Sequence, residues 1–126
     1  MRGVGKIEGT VVAGLGEGSY FMSMPHYKKE IKEKLGFEAF PGTLNIKAKE
    51  KIGVENSKKI TISGFGKNGK KFGAASCWKA RIKGIEGAII IPEISKHKGI
   101  LEFIAPVSVK NSLGIKEGDI ISVELI

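Results

Sequence analysis

Short β-type runs, each broken by glycine or proline, leave this chain little room for anything but a mostly-β fold. Residues 7–13, 43–48, 60–65, 71–75, 77–83, 88–91, 100–104 and 120–126 read as strands, and 20–24 as a further extended stretch that Pro25 stops. Their wealth of Val, Ile, Phe and Thr suits a pleated, half-buried surface. Many short strands with turn signals between them predict a small closed barrel of six to eight strands. One clear helix interrupts them over residues 26–35. Tyr27, Ile31 and Leu35 recur every fourth position there, while Lys28, Lys29, Glu30, Lys32, Glu33 and Lys34 cover the other faces. Gly36 stands where a left-handed cap is wanted. A second, shorter helix is expected within 107–113, and Asn68-Gly69 is expected to turn a hairpin.

Composition narrows the setting. With 126 residues and 41% hydrophobic content the sequence reads as one domain, 1–126, with a single core. It contains no apolar run of roughly 18 residues, so no membrane span is expected, and the first residues do not resemble a secretory signal. Cys77 is the single cysteine, which excludes an internal disulfide and a multi-cysteine metal site; the reading is cytoplasmic. A formal charge of +8, from 21 Lys and Arg against 13 Asp and Glu, attracts anions. The same Lys-rich balance also accompanies proteins from hot environments, so charge alone selects no ligand.

Gly64-Phe65-Gly66-Lys67-Asn68-Gly69-Lys70 imitates a phosphate-binding P-loop. The eighth position is Lys71 where a Ser or Thr is needed, and no helical pattern follows. It reads as a turn. The loop Gly14-Leu15-Gly16-Glu17-Gly18-Ser19 is different. Glycines at alternate positions let backbone N–H groups approach an anion without Cβ obstruction. Taken alone, the same residues also describe an irregular hairpin turn.

In Pro41-Gly42-Thr43-Leu44-Asn45, Thr43 and Asn45 share one face of a strand and offer two neutral oxygens. Such a pair could anchor magnesium when substrate phosphates complete the shell, or could simply face solvent. Glu102 lies in Ile100-Leu101-Glu102-Phe103-Ile104, a strand apolar on both faces. A carboxylate there is out of place, which marks a candidate base or hydroxyl partner, or else an exposed strand edge. His26 and His97 have no partners at metal-ligand spacing. Cys77 beside Trp78 reads as packing, and Arg81 is not expected to meet phosphate.

Together, residues 9–18, Tyr20-Phe21, Leu35-Gly36-Phe37, Pro41-Gly42-Thr43-Leu44-Asn45 and Ile104-Ala105-Pro106 resemble the archaeal CTP-dependent riboflavin kinase family. The resemblance implies a cradle-loop barrel that transfers the γ-phosphoryl group of CTP to the 5′-hydroxyl of riboflavin, giving FMN and CDP. It places nucleotide contacts on Gly14, Leu15, Gly16, Glu17, Gly18 and Ser19, and again on Val107, Ser108, Val109 and Lys110. It places Mg2+ ligands on Thr43 and Asn45, and flavin contacts on Ser95 and Glu102. Ser19 and Ser95 stand where a family member carries Arg and Thr; the first change removes a phosphate contact and the second keeps a hydroxyl. Some relatives carry an N-terminal helix-turn-helix domain, which is not expected here. The competing class is a small basic barrel binding nucleic acid, since Leu113-Gly114-Ile115-Lys116-Glu117-Gly118-Asp119 looks like the closing turn of swapped-hairpin transcription regulators. Aromatics are only 7% of the chain and do not interleave with its lysines. The expected partners are therefore small molecules, met by a monomer, with no nucleic acid and no membrane.

Overall fold

The computed structural model describes residues 5–14, 22–49, 58–67, 69–92 and 99–126. In chain order these form β1 (Lys6–Val12), α1 (Pro25–Leu35), β2 (Leu44–Ala48), β3 (Ile60–Ile62), β4 (Phe65–Lys67), β5 (Lys70–Phe72), β6 (Ala75–Ile82), β7 (Ile85–Pro92), β8 (Ile100–Ile104), α2 (Val109–Leu113) and β9 (Ile120–Leu125). The main sheet runs β3-β6-β7-β8-β2-β1-β9, and β9 returns to pair with β6. Six strands therefore close into a barrel, β3 adds to one side, and β4–β5 is a separate hairpin. The mostly-β barrel expected from the sequence is the fold observed.

Alternation builds two apolar layers on opposite faces of one wall. Ile7 and Val11 of β1, Leu44 and Ile46 of β2, Trp78, Ala80 and Ile82 of β6, Leu101 and Phe103 of β8, and Ile121, Val123 and Leu125 of β9 fill the inside. On the outer face Cys77, Ala88, Ile90 and Ile104 meet Tyr27, Ile31 and Leu35 of α1 and Ile62 of β3. The three helix residues are those picked out by the fourfold period. Gly36 caps α1 at φ 85°, donating to Lys32 O, and Lys32 and Lys34 sit where the helix dipole favours cations.

Several boundaries differ from expectation. Met22 and Ser23 are helical, not extended, with Met22 only 2% exposed in the outer core, and Pro25 opens α1 instead of ending a strand. The 60–65 run divides at Ser63, whose N–H and hydroxyl both donate to Glu30 Oε1 on α1. The first part pairs with β6 and the second turns into the β4–β5 hairpin, where Gly69 has φ 75°. Strand β7 begins three residues before position 88, because Lys83 and Gly84 both take positive φ and make a two-residue hairpin loop. Helix α2 starts at Val109, since the Ser108 hydroxyl caps it by accepting from Asn111 N–H at 3.3 Å. Among the described residues no helix is long and apolar enough to cross a membrane.

Candidate active site

Antiparallel pairing sets Asn45 of β2 opposite Glu102 of β8, and pairs Asn45 on its other side with Val12 of β1. Glu102 pairs in turn with Ile90, and Ile90 with Cys77. The row Val12, Asn45, Glu102, Ile90, Cys77 thus crosses the outer face of the wall. Helix α1 and β3 bury its Cys77 end, whereas Asn45 and Glu102 remain half-buried. Burial pushes the Cys77 thiol up to about 12, so it is inert as a nucleophile and serves packing, as its sequence context suggests.

Thr43, one residue before β2, joins this pair. Its hydroxyl donates to Glu102 Oε1 at 2.7 Å, a charge-assisted bond between residues 59 positions apart. Gly14, just beyond β1, closes the group from the other side. A Cβ on Gly14 would fall on the side-chain amide of Asn45. Gly14 therefore lies directly against the Thr-x-Asn strand, and Thr43 and Asn45 of that strand adjoin the Glu102 carboxylate of β8. Residues far apart in sequence thus meet in one place.

A cavity of about 220 Å³ opens next to Thr43. Its walls are Phe40, Gly42, Leu44, Phe103 and Ala105 together with Val107, Ser108, Val109 and Lys110. The backbone bond from Phe40 N–H to Ala105 O, 2.7 Å, ties its two rims together. Lys110 supplies the charge among these lining residues, a cation suited to an anionic ligand. Phe40 and Val107, at 38% and 43% exposure, present apolar surface on the cavity rim. Phe40 reads from the sequence only as part of a turn, whereas Ala105 belongs to the Ile104-Ala105-Pro106 motif; an aromatic ahead of Pro41-Gly42 is the signal that could have marked the rim.

Of the sequence candidates, Gly14, Thr43, Asn45 and Glu102 come together, and the segment 107–110 lines a cavity shared with Thr43. Leu15, Gly16, Glu17, Gly18, Ser19 and Ser95 lie outside the described residues. The P-loop-like stretch is the β4–β5 hairpin and leads into strand, not helix. Arg81 lies 2.9 Å from Glu124 Oε1 across the β6–β9 seam. Among the described residues no three His, Cys, Asp or Glu side chains gather around a metal position. The oxygens of Thr43 and Asn45, with a carboxylate one hydrogen bond away, nevertheless form a hard donor set of the kind magnesium takes when waters and phosphates supply the rest.

A family model designated CTP-dep_RFKase, described as domain of unknown function DUF120, matches residues 11–125. A protein of Archaeoglobus fulgidus named riboflavin kinase is 43% identical over 131 residues, covering 99% of this chain and 56% of that protein. Riboflavin kinase of Pyrobaculum arsenaticum is 38% identical over 127 residues, covering 96% and 60%. Riboflavin kinase of Ignicoccus hospitalis is 38% identical over 123 residues, covering 93% and 69%. The chain spans 56% and 60% of the length of the first two of these curated relatives.

Proposed function

Since the chain belongs to the CTP-dep_RFKase family, we propose that it phosphorylates the ribityl 5′-hydroxyl of riboflavin, with CTP as donor and FMN and CDP as products. The relatives' names support the reaction, and the family designation supports the donor. The observation that carries the reading is the convergence of Gly14, Thr43, Asn45 and Glu102 beside a cavity.

Phosphoryl transfer asks for in-line positioning and charge stabilisation more than for an elaborate reactive group. Backbone N–H groups from Gly14 to Ser19 would cradle the phosphates. Thr43 Oγ1 and the Asn45 side-chain oxygen would hold magnesium, which would supply positive charge to offset that of the phosphates. Val107, Ser108, Val109 and Lys110 would line the remaining part of the nucleotide site. Glu102 would accept the proton of the acceptor hydroxyl, with Ser95 as a second flavin contact. In this reading a monomer works on small molecules in the cytoplasm, and nucleic acid has no part.

The test is direct. Purified protein is incubated with riboflavin, magnesium and each of the four nucleoside triphosphates in turn, and FMN is followed by chromatography. FMN is expected with CTP. Absence of FMN with every donor overturns the reaction; FMN with ATP alone keeps the reaction and overturns the donor.

A further inference from the structure

A threonine hydroxyl has one proton and two acceptor lone pairs, and its rotor settles which way each points. In this fold the Thr43 proton is already committed, since Oγ1 donates to Glu102 Oε1 at 2.7 Å. Both lone pairs are thereby turned away from Glu102. The same bond prevents Thr43 from turning its proton toward an incoming cation, or back onto its own backbone as threonines near strand ends often do. A carboxylate acceptor also draws on the O–H bond and leaves the oxygen richer in electrons, which strengthens it as a ligand. Glu102 is also the cross-strand partner of Asn45, so ladder register sets the two residues side by side on one face.

We propose that Glu102 is a positioning residue for Thr43, holding its hydroxyl so that the lone pairs face the divalent cation that enters with the nucleotide. This rests on the assignment of Thr43 and Asn45 to the metal–nucleotide subsite. It adds a donor-side duty to a carboxylate otherwise assigned to the acceptor alcohol. The two duties separate experimentally, because a residue acting only on the alcohol has no influence on nucleotide binding when riboflavin is absent.

The experiment is a calorimetric titration of CTP, without riboflavin, in magnesium and again in excess EDTA. The proteins are the wild type, Glu102→Gln, Glu102→Ala, Thr43→Val, Thr43→Ser and the Thr43→Val/Glu102→Ala double variant, each checked by thermal melting. Glu102→Ala is expected to weaken magnesium-dependent CTP binding roughly tenfold or more, the scale of lost outer-shell partners at metal sites. Binding in EDTA should change less than about twofold by the same reasoning. Glu102→Gln, which keeps an acceptor oxygen without the charge and nearly the same shape, should fall between. Thr43→Ser, which keeps the hydroxyl, should bind more tightly than Thr43→Val. The double variant should bind no worse than Thr43→Val, because the influence of Glu102 passes through Thr43. Wild-type affinity in Glu102→Ala and Glu102→Gln overturns the proposal, as does full additivity in the double variant. Wild-type binding that is indifferent to magnesium overturns the metal–nucleotide assignment itself, a result distinct from either.

Discussion

Gly14 lies against Asn45 so closely that its lack of a side chain is a structural requirement of the site. Its φ is outside the left-handed region, so alanine meets no backbone penalty there, and the three nearest atoms among the described residues all belong to the Asn45 side chain. Gly14→Ala should therefore push the Asn45 amide aside and leave the barrel intact. Overpacking of this kind costs about 1–3 kcal/mol, or roughly thirtyfold in affinity at the middle of that range. Magnesium–CTP titration beside a melting curve checks it, and unchanged affinity would show that Asn45 is not needed where it stands. At this scale the sequence was legible in kind but not in contact. Thr43 and Asn45 share a face by simple alternation, and Glu102 is conspicuous between Leu101 and Phe103. The bond joining Thr43 to Glu102 spans 59 positions, and no local rule gives the register that brings β2 beside β8.

Helix α1 is held to the barrel by polar anchors as well as by Tyr27, Ile31 and Leu35. Glu30 accepts from Ser63 N–H at 3.0 Å and Ser63 Oγ at 2.7 Å, and Lys34 lies 3.0 Å from the same carboxylate. The Ser63 backbone N–H, then its hydroxyl, then Lys34 pull the Glu30 carboxyl from its ordinary value near 4.5 to about 2. Because the folded value is the lower one, the stabilisation is complete above pH 4.5 and disappears as pH falls to about 2. Thermal melts of wild type and Glu30→Gln should thus differ most near neutrality and converge between those two pH values. A gap that persists at low pH would show that the carboxylate charge is not what fastens the helix. The helix itself was readable because Tyr27, Ile31 and Leu35 repeat cleanly on one face. The β6–β7 turn was not, since Lys83-Gly84 adopts the conformation that Asn-Gly usually announces. Met22 was misread for a related reason: apolar residues in short runs fit either period, and burial against α1 chose the helical one.

Across the whole barrel, strands approach more closely than side chains allow at Gly9 and Gly87. A Cβ on Gly87 would strike the Ile104 carbonyl and lie 2.9 Å from the Phe103 ring tip; one on Gly9 would lie 2.5 Å from Lys47 O. Gly87→Ala should destabilise the fold by about 2 kcal/mol or more, because the colliding atom is backbone and cannot rotate away. Urea unfolding measures it, and an unmoved midpoint would mean that β7 and β8 can spread at no cost. The closed architecture was foreseeable from the number and brevity of the strands. Which strands neighbour one another was not, because the order β6-β7-β8-β2-β1-β9 depends on contacts made across the entire chain.

Closure itself rests on β9, which pairs with β1 at five positions from Lys6↔Glu124 to Thr10↔Ile120 and with β6 at Ala80 and Arg81. On a ribosome, which issues the chain from its N-terminal end, β1 is made roughly a hundred residues before that partner exists. At about 5–20 residues per second the interval is roughly 5–20 s. Throughout it β1, and for its last part β6 as well, carries an edge with its ladder groups unpaired, the condition under which strands recruit one another between molecules. The hazard is one of timing, present only until Ile120–Leu125 emerges to fill the gap.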